Sequence, residues 1–136
     1  MTTTVRIVQW VTGIVGLGAL VLGLMFWIAH IDLISLHRLL GFIVAIGLLV
    51  MSLIAVSTRG MRVLGLVGVV YAFILPVFGL TQQTLLVGDL HWLIQTIHML
   101  LGIGALALAG IMGTRYVRLT RAVRAASQVT VPEPGR

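Results

Sequence analysis

The sequence of 136 residues contains no cysteine and no lysine, and only three of its residues are acidic. Without cysteine there are no disulfide bonds, thiolate metal ligands or iron–sulfur clusters. Charged residues make up 9% of the chain, whereas soluble domains carry about 25%. By contrast, 60% of the residues are hydrophobic and the mean hydropathy is +1.17. An integral membrane protein is therefore expected, with the lipid bilayer as its main partner.

Four long apolar runs follow one another along the chain: Val5–Ile31, Ile34–Val56, Val63–Leu80 and Leu90–Gly113. A helix needs about 20 apolar residues to cross the hydrocarbon core, and only a helix satisfies its own backbone there. The first run is longer than the apolar core of a signal peptide, so it is expected to be a retained helix. The sequence thus predicts an all-α protein, a four-helix transmembrane bundle with up-down-up-down topology.

Arginines are concentrated on one side of such a chain: Arg6, Arg59, Arg62, Arg115, Arg118, Arg121 and Arg124. Because arginine-rich flanks stay in the cytoplasm, both termini are predicted to be cytoplasmic. The expected location is the cytoplasmic (inner) membrane of a prokaryote. Since this asymmetry also explains the net charge of +6, no nucleic-acid partner is expected.

The chain is predicted to divide into a membrane domain, residues 1–114, and a basic juxtamembrane segment, residues 115–136. In the basic segment arginines recur every three residues among valine, leucine and alanine. This pattern is typical of a helix that lies on anionic lipid or continues into the cytoplasm. The final residues, VTVPEPGR, are predicted to be disordered.

The frame His-x-Leu-Leu-Gly occurs twice, at residues 37–41 and 98–102. Each copy lies in the second helix of a predicted hairpin, which is consistent with two duplicated helical hairpins. Both histidines, His37 and His98, are then expected in the outer half of the bundle. An ionisable residue inside a membrane span is costly, and by default it indicates a functional site.

Two neutral imidazoles that face each other across a bundle core can serve as the axial ligands of one haem iron. His37 and His98 are therefore the predicted metal ligands of a haem b. Gly41 and Gly102 each lie one turn below a histidine, and their missing side chains leave room for a flat macrocycle. Further glycines on the first and third helices are candidates for the same purpose: Gly16, Gly65 and Gly68. In the alternative interpretation, the histidines hydrogen-bond between helices and the glycines allow close packing.

Three more residues are candidate contacts of a cofactor. His91 lies on the same face as His98 and about 10 Å nearer the outer surface. Arg38 is suited to a haem propionate, and Gln95 can hydrogen-bond a cofactor or another helix. Counted from the predicted helix caps Asp32 and Asp89, the depths of His37 and His98 differ by about 6 Å, so His91 remains an alternative partner of His37.

The segments LHRLLGFIV and IQTIHMLLGIGALAL resemble the second and fourth helices of one half of the haem A synthase family. The chain is less closely similar to other four-helix b-type membrane cytochromes. In the synthase family both helices carry a histidine, and the first histidine is often followed by arginine, as His37 is by Arg38. The resemblance covers about a third of the chain and implies haem binding. The family also has a second such half and a glutamate where this chain has Ile34, so synthase activity is not expected.

Two functions follow from these observations. The first is a small membrane cytochrome that binds one b-type haem near the outer face, for electron transfer or haem handling. A chlorin pigment held by a single histidine is the alternative cofactor. The second function is that of a non-catalytic subunit that packs against membrane proteins of a respiratory or photosynthetic complex, or against a second copy of itself. A transporter or channel is less favoured, because no acidic residue lies inside a predicted span.

Overall fold

The computed structural model describes residues 2–129, with the backbone alone for Val129. The described chain forms α1 (Thr2–Ala29), α2 (Ile34–Val56), α3 (Arg62–Thr81) and α4 (His91–Val129), with a short 3-10 turn at Gln82–Thr84. All four helices are long and apolar enough to cross a membrane. The prediction of an all-α, four-helix transmembrane bundle is confirmed.

Each helix packs against the next one along the chain, and α1 also packs along α4, which closes the bundle. One diagonal pair, α2 and α4, makes contact across the middle, whereas no described Cα atom of α1 lies within 8 Å of one in α3. The two helices that carry the repeated histidine frame therefore meet inside the bundle.

The helix ends agree with the predicted spans to different degrees. The bounds of α2 are those predicted, and α3 is one residue longer at each end. α1 ends before Ile31, because His30 adopts a left-handed conformation with φ of 54° that cannot continue the helix. α4 continues far beyond Gly113, since the arginines and alanines that follow favour helix and no proline interrupts them before residue 129.

This continuity decides how the basic segment is built. The structure shows no break at the predicted boundary between residues 114 and 115, and the arginines lie in the same helix, α4. Of the two arrangements considered for this segment, continuation of the fourth helix is the one observed. The predicted disorder of VTVPEPGR falls almost entirely on residues 130–136, which lie outside the described residues.

The predicted helix caps are only partly correct. The carboxylate of Asp32 accepts a hydrogen bond from the backbone N–H of Ile34 at 3.3 Å, but the N-cap position of α2 belongs to Leu33. Asp89 makes no side-chain hydrogen bond to the described chain. Instead, the N–H of His91 donates to the carbonyl of Gly88 at 3.0 Å, in a turn that Gly88 permits with φ of 107°.

We call the end of the bundle that contains residues 2–15, 45–72 and 107–116 the arginine-rich half. Its core is tightly packed, and Leu48, Met51 and Met112 are 0%, 2% and 1% exposed. α2 and α3 can approach closely here because Gly65 has no side chain. A Cβ atom on Gly65 would lie 2.5 Å from the backbone nitrogen of Val56. A Cβ atom on Gly68 would likewise meet the side chain of Ser52.

Gly65 and Gly68 therefore serve the contact between α2 and α3. The expectation that they make room for a macrocycle is wrong, because neither lines the cavity of the opposite half. The physical reason is their position: both lie in the first turns of α3, at the arginine-rich end.

Candidate functional site

The opposite half of the bundle encloses a cavity near the connections α1–α2 and α3–α4. All four helices line it, and its volume is about 160 Å³. Its wall is mainly apolar and includes Leu24, Trp27, Phe42, Leu75 and Leu80. A few polar side chains interrupt this wall: His37, Arg38, Gln82, Gln83, His91, Gln95 and His98. An apolar cavity into which a few polar groups converge is the usual form of a ligand site.

The two frame histidines meet in this cavity. The ring centroids of His37 and His98 are 5.9 Å apart, and the ring planes are inclined at 65°. His37 is the fourth residue of α2 and His98 the eighth of α4. The rings are nevertheless in contact, so α2 and α4 must begin at different depths along the bundle axis. The difference in depth expected from the sequence therefore does not separate the two side chains.

His37 is held by a hydrogen bond to the neighbouring helix. Its Nδ1 lies 2.8 Å from the carbonyl oxygen of Ala19 in α1. A carbonyl can only accept, so Nδ1 carries the proton and Nε2 carries the lone pair. Metal-binding histidines commonly have this arrangement, in which the second ring nitrogen donates to a backbone carbonyl.

Gly23 makes this hydrogen bond sterically accessible. Within α1, Gly23 is the residue four positions after Ala19, so a side chain there would stand beside the Ala19 carbonyl. A Cβ atom on Gly23 would lie 3.1 Å from Cε1 of His37. The missing side chain therefore lets the imidazole approach α1 closely.

His98 has a similar glycine but a different polar environment. A Cβ atom on Gly79 of α3 would lie 3.1 Å from Cε1 of His98, and the ring of Phe78 stacks on the imidazole at 6.1 Å and 11°. Nδ1 of His98 is buried and finds no hydrogen-bond partner within residues 2–129. The two histidines are thus alike in their steric setting and unlike in their hydrogen bonding.

Both frame glycines line the cavity, as expected. A Cβ atom on Gly41 or on Gly102 would meet no described atom within 4 Å, so there is open space beside each. Gly16 also lines the cavity, but the space beside it is occupied by the side chain of Leu106.

The remaining predicted residues lie around the mouth and wall of the cavity. Arg38 is exposed, and its Nη2 donates to Oε1 of Gln83 at 3.4 Å. Gln95 lines the wall. His91 also lines the cavity, but its Nδ1 lies 3.2 Å from the carbonyl oxygen of Leu85. Of the two pairings considered for His37, the structure brings His98 and not His91 into ring contact.

Three residues of the site were missed by sequence analysis. Gly23 and Gly79 precede their histidines by different numbers of residues, so no repeated spacing marks them. Gln82 lies in the 3-10 turn after α3, and its buried Oε1 has no hydrogen-bond partner in the described part of the chain. The contacts of the two glycines with the histidines become visible only when the two helices of each hairpin are placed side by side.

The donor set limits which metal centre the site can hold. Between residues 2 and 129 there is no group of three or more His, Cys, Asp or Glu side chains that could hold a metal ion. A haem needs only two axial ligands from the protein, because the porphyrin supplies the others. Two imidazole–metal bonds of about 2 Å and two ring radii place the centroids about 6 Å apart, close to the separation of His37 and His98. The separation of the pair is thus compatible with two ligands on one metal centre that brings its other ligands with it.

No protein family model, curated protein or solved structure matches this chain. The resemblance of the α2 and α4 segments to the haem A synthase family stays a prediction. What the site can bind is accordingly argued from its own residues.

Proposed function

We propose that this protein is a small integral membrane cytochrome, which holds one haem b between His37 and His98 for electron transfer or haem handling. The observation that carries the proposal is the approach of two imidazoles from diagonal helices, with centroids 5.9 Å apart, inside an apolar cavity. When bound, a haem supplies one-electron chemistry at its iron. The chain supplies axial ligation, burial and a fixed orientation.

The hydrogen bond of His37 supports this role. Because Nδ1 donates to the carbonyl of Ala19, Nε2 is left with an unprotonated lone pair, as axial ligation requires. The same bond restricts rotation of the ring. If His37 served only to join α2 to α1, the close approach of the His98 ring from α4 would have no purpose.

Open space and unpaired polar atoms support it further. The space beside Gly41 and Gly102 provides room for a flat ligand next to the two rings. The buried atoms Nδ1 of His98 and Oε1 of Gln82 have no partner among the described residues. The unpaired Oε1 of Gln82 is costly in an apolar environment, and it favours a cavity that holds a polar group of a ligand or water.

The mouth of the cavity suits the carboxylates of the macrocycle. Arg38 is exposed there and is joined to Gln83, while Gln82 lies on the same turn. A guanidinium binds a carboxylate strongly, so we place the propionates toward Arg38. The arginines of the other end favour a cytoplasmic location for that end, and we therefore propose that the haem lies near the outer face of a prokaryotic inner membrane.

The test is an absorption spectrum of the detergent-purified protein after expression with ample haem, oxidised and then reduced with dithionite. We expect sharp reduced α and Soret bands in the wild type. His37→Ala and His98→Ala should each lose the six-coordinate spectrum, because each removes one axial ligand.

Two matched histidine variants complete the test. His91→Ala removes a cavity-lining histidine outside the pair, and His30→Ala removes an exposed one, so both should keep the wild-type spectrum. Long-wavelength red bands would indicate a chlorin instead of haem. A colourless wild type would overturn the proposal and favour a non-catalytic subunit of a larger membrane complex.

A further inference from the structure

We infer that the two ligands are not equivalent: His37 is the permanent ligand, and His98 yields its place to a small uncharged diatomic molecule such as carbon monoxide. This inference rests on the proposed function and adds a ligand-binding activity to it. It depends on the different surroundings of two chemically identical side chains.

His37 is fixed by an outer partner on a rigid element. Its hydrogen bond of 2.8 Å runs to the backbone of α1, in the middle of a span. A partner of this kind orients the ring and increases the basicity of the ligating nitrogen. Loss of such a partner typically lowers metal affinity or activity about 10- to 100-fold.

His98 has no such support. When its Nε2 ligates, its Nδ1 must carry the proton, and that N–H is buried without an acceptor among residues 2–129. A buried N–H donor without a partner costs free energy, and this cost weakens the bond that His98 can make through Nε2. The ring is positioned only by apolar contact, through the stacking of Phe78 and the close approach of Gly79.

The space around His98 suits an uncharged ligand. Leu75, Pro76 and Leu80 line the same cavity as His98, and open space lies beside Gly102, one turn from His98. An apolar environment accepts a neutral diatomic molecule more readily than an anion, which would have to lose its hydration. We therefore expect carbon monoxide to bind and azide to bind poorly.

The exchange itself requires no change of redox state. A haem would supply the ferrous iron, to which carbon monoxide would donate its carbon lone pair once Nε2 of His98 has withdrawn its own. His98 keeps its Nδ1 proton and remains neutral. No electron is transferred, and His37 stays bound throughout.

The experiment measures carbon monoxide binding to the dithionite-reduced protein in detergent, by titration and by rebinding after flash photolysis. In the wild type, we expect binding that is slowed by competition from His98. His98→Ala should retain haem and bind carbon monoxide faster than the wild type, in a single phase without competition. His37→Ala should instead lose most of its haem.

A matched pair of glycine variants separates the roles of the two rings. Each adds a Cβ atom 3.1 Å from Cε1 of its histidine, so the steric change is the same. Gly79→Ala should accelerate carbon monoxide binding with little loss of haem. Gly23→Ala should weaken haem retention, because it displaces His37 from the carbonyl of Ala19.

The outcomes distinguish this inference from the proposed function. A wild type without haem bands would overturn both. A six-coordinate wild type that does not react with carbon monoxide would overturn the inference alone. The same holds if His37→Ala keeps haem and reacts while His98→Ala loses haem, because the roles of the two histidines would then be reversed.

Discussion

The two halves of the bundle use the same residue type for opposite purposes. In the arginine-rich half, Gly65 brings α3 against the backbone of α2, with no space for even one added carbon. In the cavity half, Gly41 and Gly102 face open space. A glycine in a membrane helix therefore has no fixed meaning, and its role depends on what lies opposite it in the bundle.

The difference has an energetic side. Lipid chains are as apolar as leucine, so membrane helices associate through close packing and interhelical hydrogen bonds. Both are present in the arginine-rich half, where Leu48 is fully buried and Nε2 of Gln9 donates from α1 to the carbonyl of Gly110 in α4 at 3.2 Å. We infer that this half stabilises the bundle, which allows the other half to remain open for a ligand.

Removing a packed leucine should destabilise the arginine-rich half. Leu48→Ala leaves a cavity among fully buried neighbours, and we expect a loss on the order of 2 kcal/mol, the lower end of the range for buried leucines. We expect a loss at the low end because moving a leucine side chain from lipid into the bundle contributes little free energy. Thermal unfolding in detergent measures it.

Leu20→Ala is the matched control, because Leu20 is only partly buried and already borders the cavity. Its loss should be clearly smaller. Equal losses for the two variants would mean that the halves are packed alike, and the comparison would fail.

An added methyl group tests the two classes of glycine directly. Gly65→Ala places a carbon against backbone atoms that cannot move independently, so we expect a loss of about 1–3 kcal/mol. Gly102→Ala adds the same methyl group in open space, and the higher helix propensity of alanine should leave stability unchanged or slightly increased. Unfolding midpoints of both variants without haem provide the measurement. A destabilised Gly102→Ala would show that its surroundings are already filled.

Hydropathy was sufficient to predict the four spans, because each apolar run is long and the connections are short. It was less accurate at the ends. The backbone conformation of His30, which ends α1, and the continuation of α4 through its arginines depend on local geometry that hydropathy does not describe. The assignment of Asp89 as a cap was wrong, because a tight turn at Gly88 satisfies the backbone instead.

The histidine pair was predictable from the repeated frame, but its surroundings were not. Both frames lie on helices that follow short connections, which predicts that the histidines lie in the same half. Gly23 and Gly79 contact the rings from the preceding helix of each hairpin, at separations along the chain that differ between hairpins. Their roles, and the contrast between the two Nδ1 atoms, require three-dimensional coordinates.

The smallest expected effect concerns charge at the two ends. Arg38 is exposed at the cavity mouth, and an exposed ion pair contributes about 0.2–1 kcal/mol. Arg38→Gln should therefore raise the dissociation constant for haem about 1.4- to 5-fold, measured by titration of the haem-free protein. Arg59→Gln removes an arginine from the opposite end and should leave the constant unchanged.

Haem dimethyl ester, which lacks free carboxylates, identifies the cause. Because Arg38 can no longer pair with a propionate, the wild type and Arg38→Gln should bind the ester equally well. The substitution could instead weaken binding of the ester by the same factor as binding of haem. Arg38 would then act by shaping the mouth together with Gln83 and not through its charge. The asymmetry of charge between the ends would then concern insertion into the membrane and not the ligand.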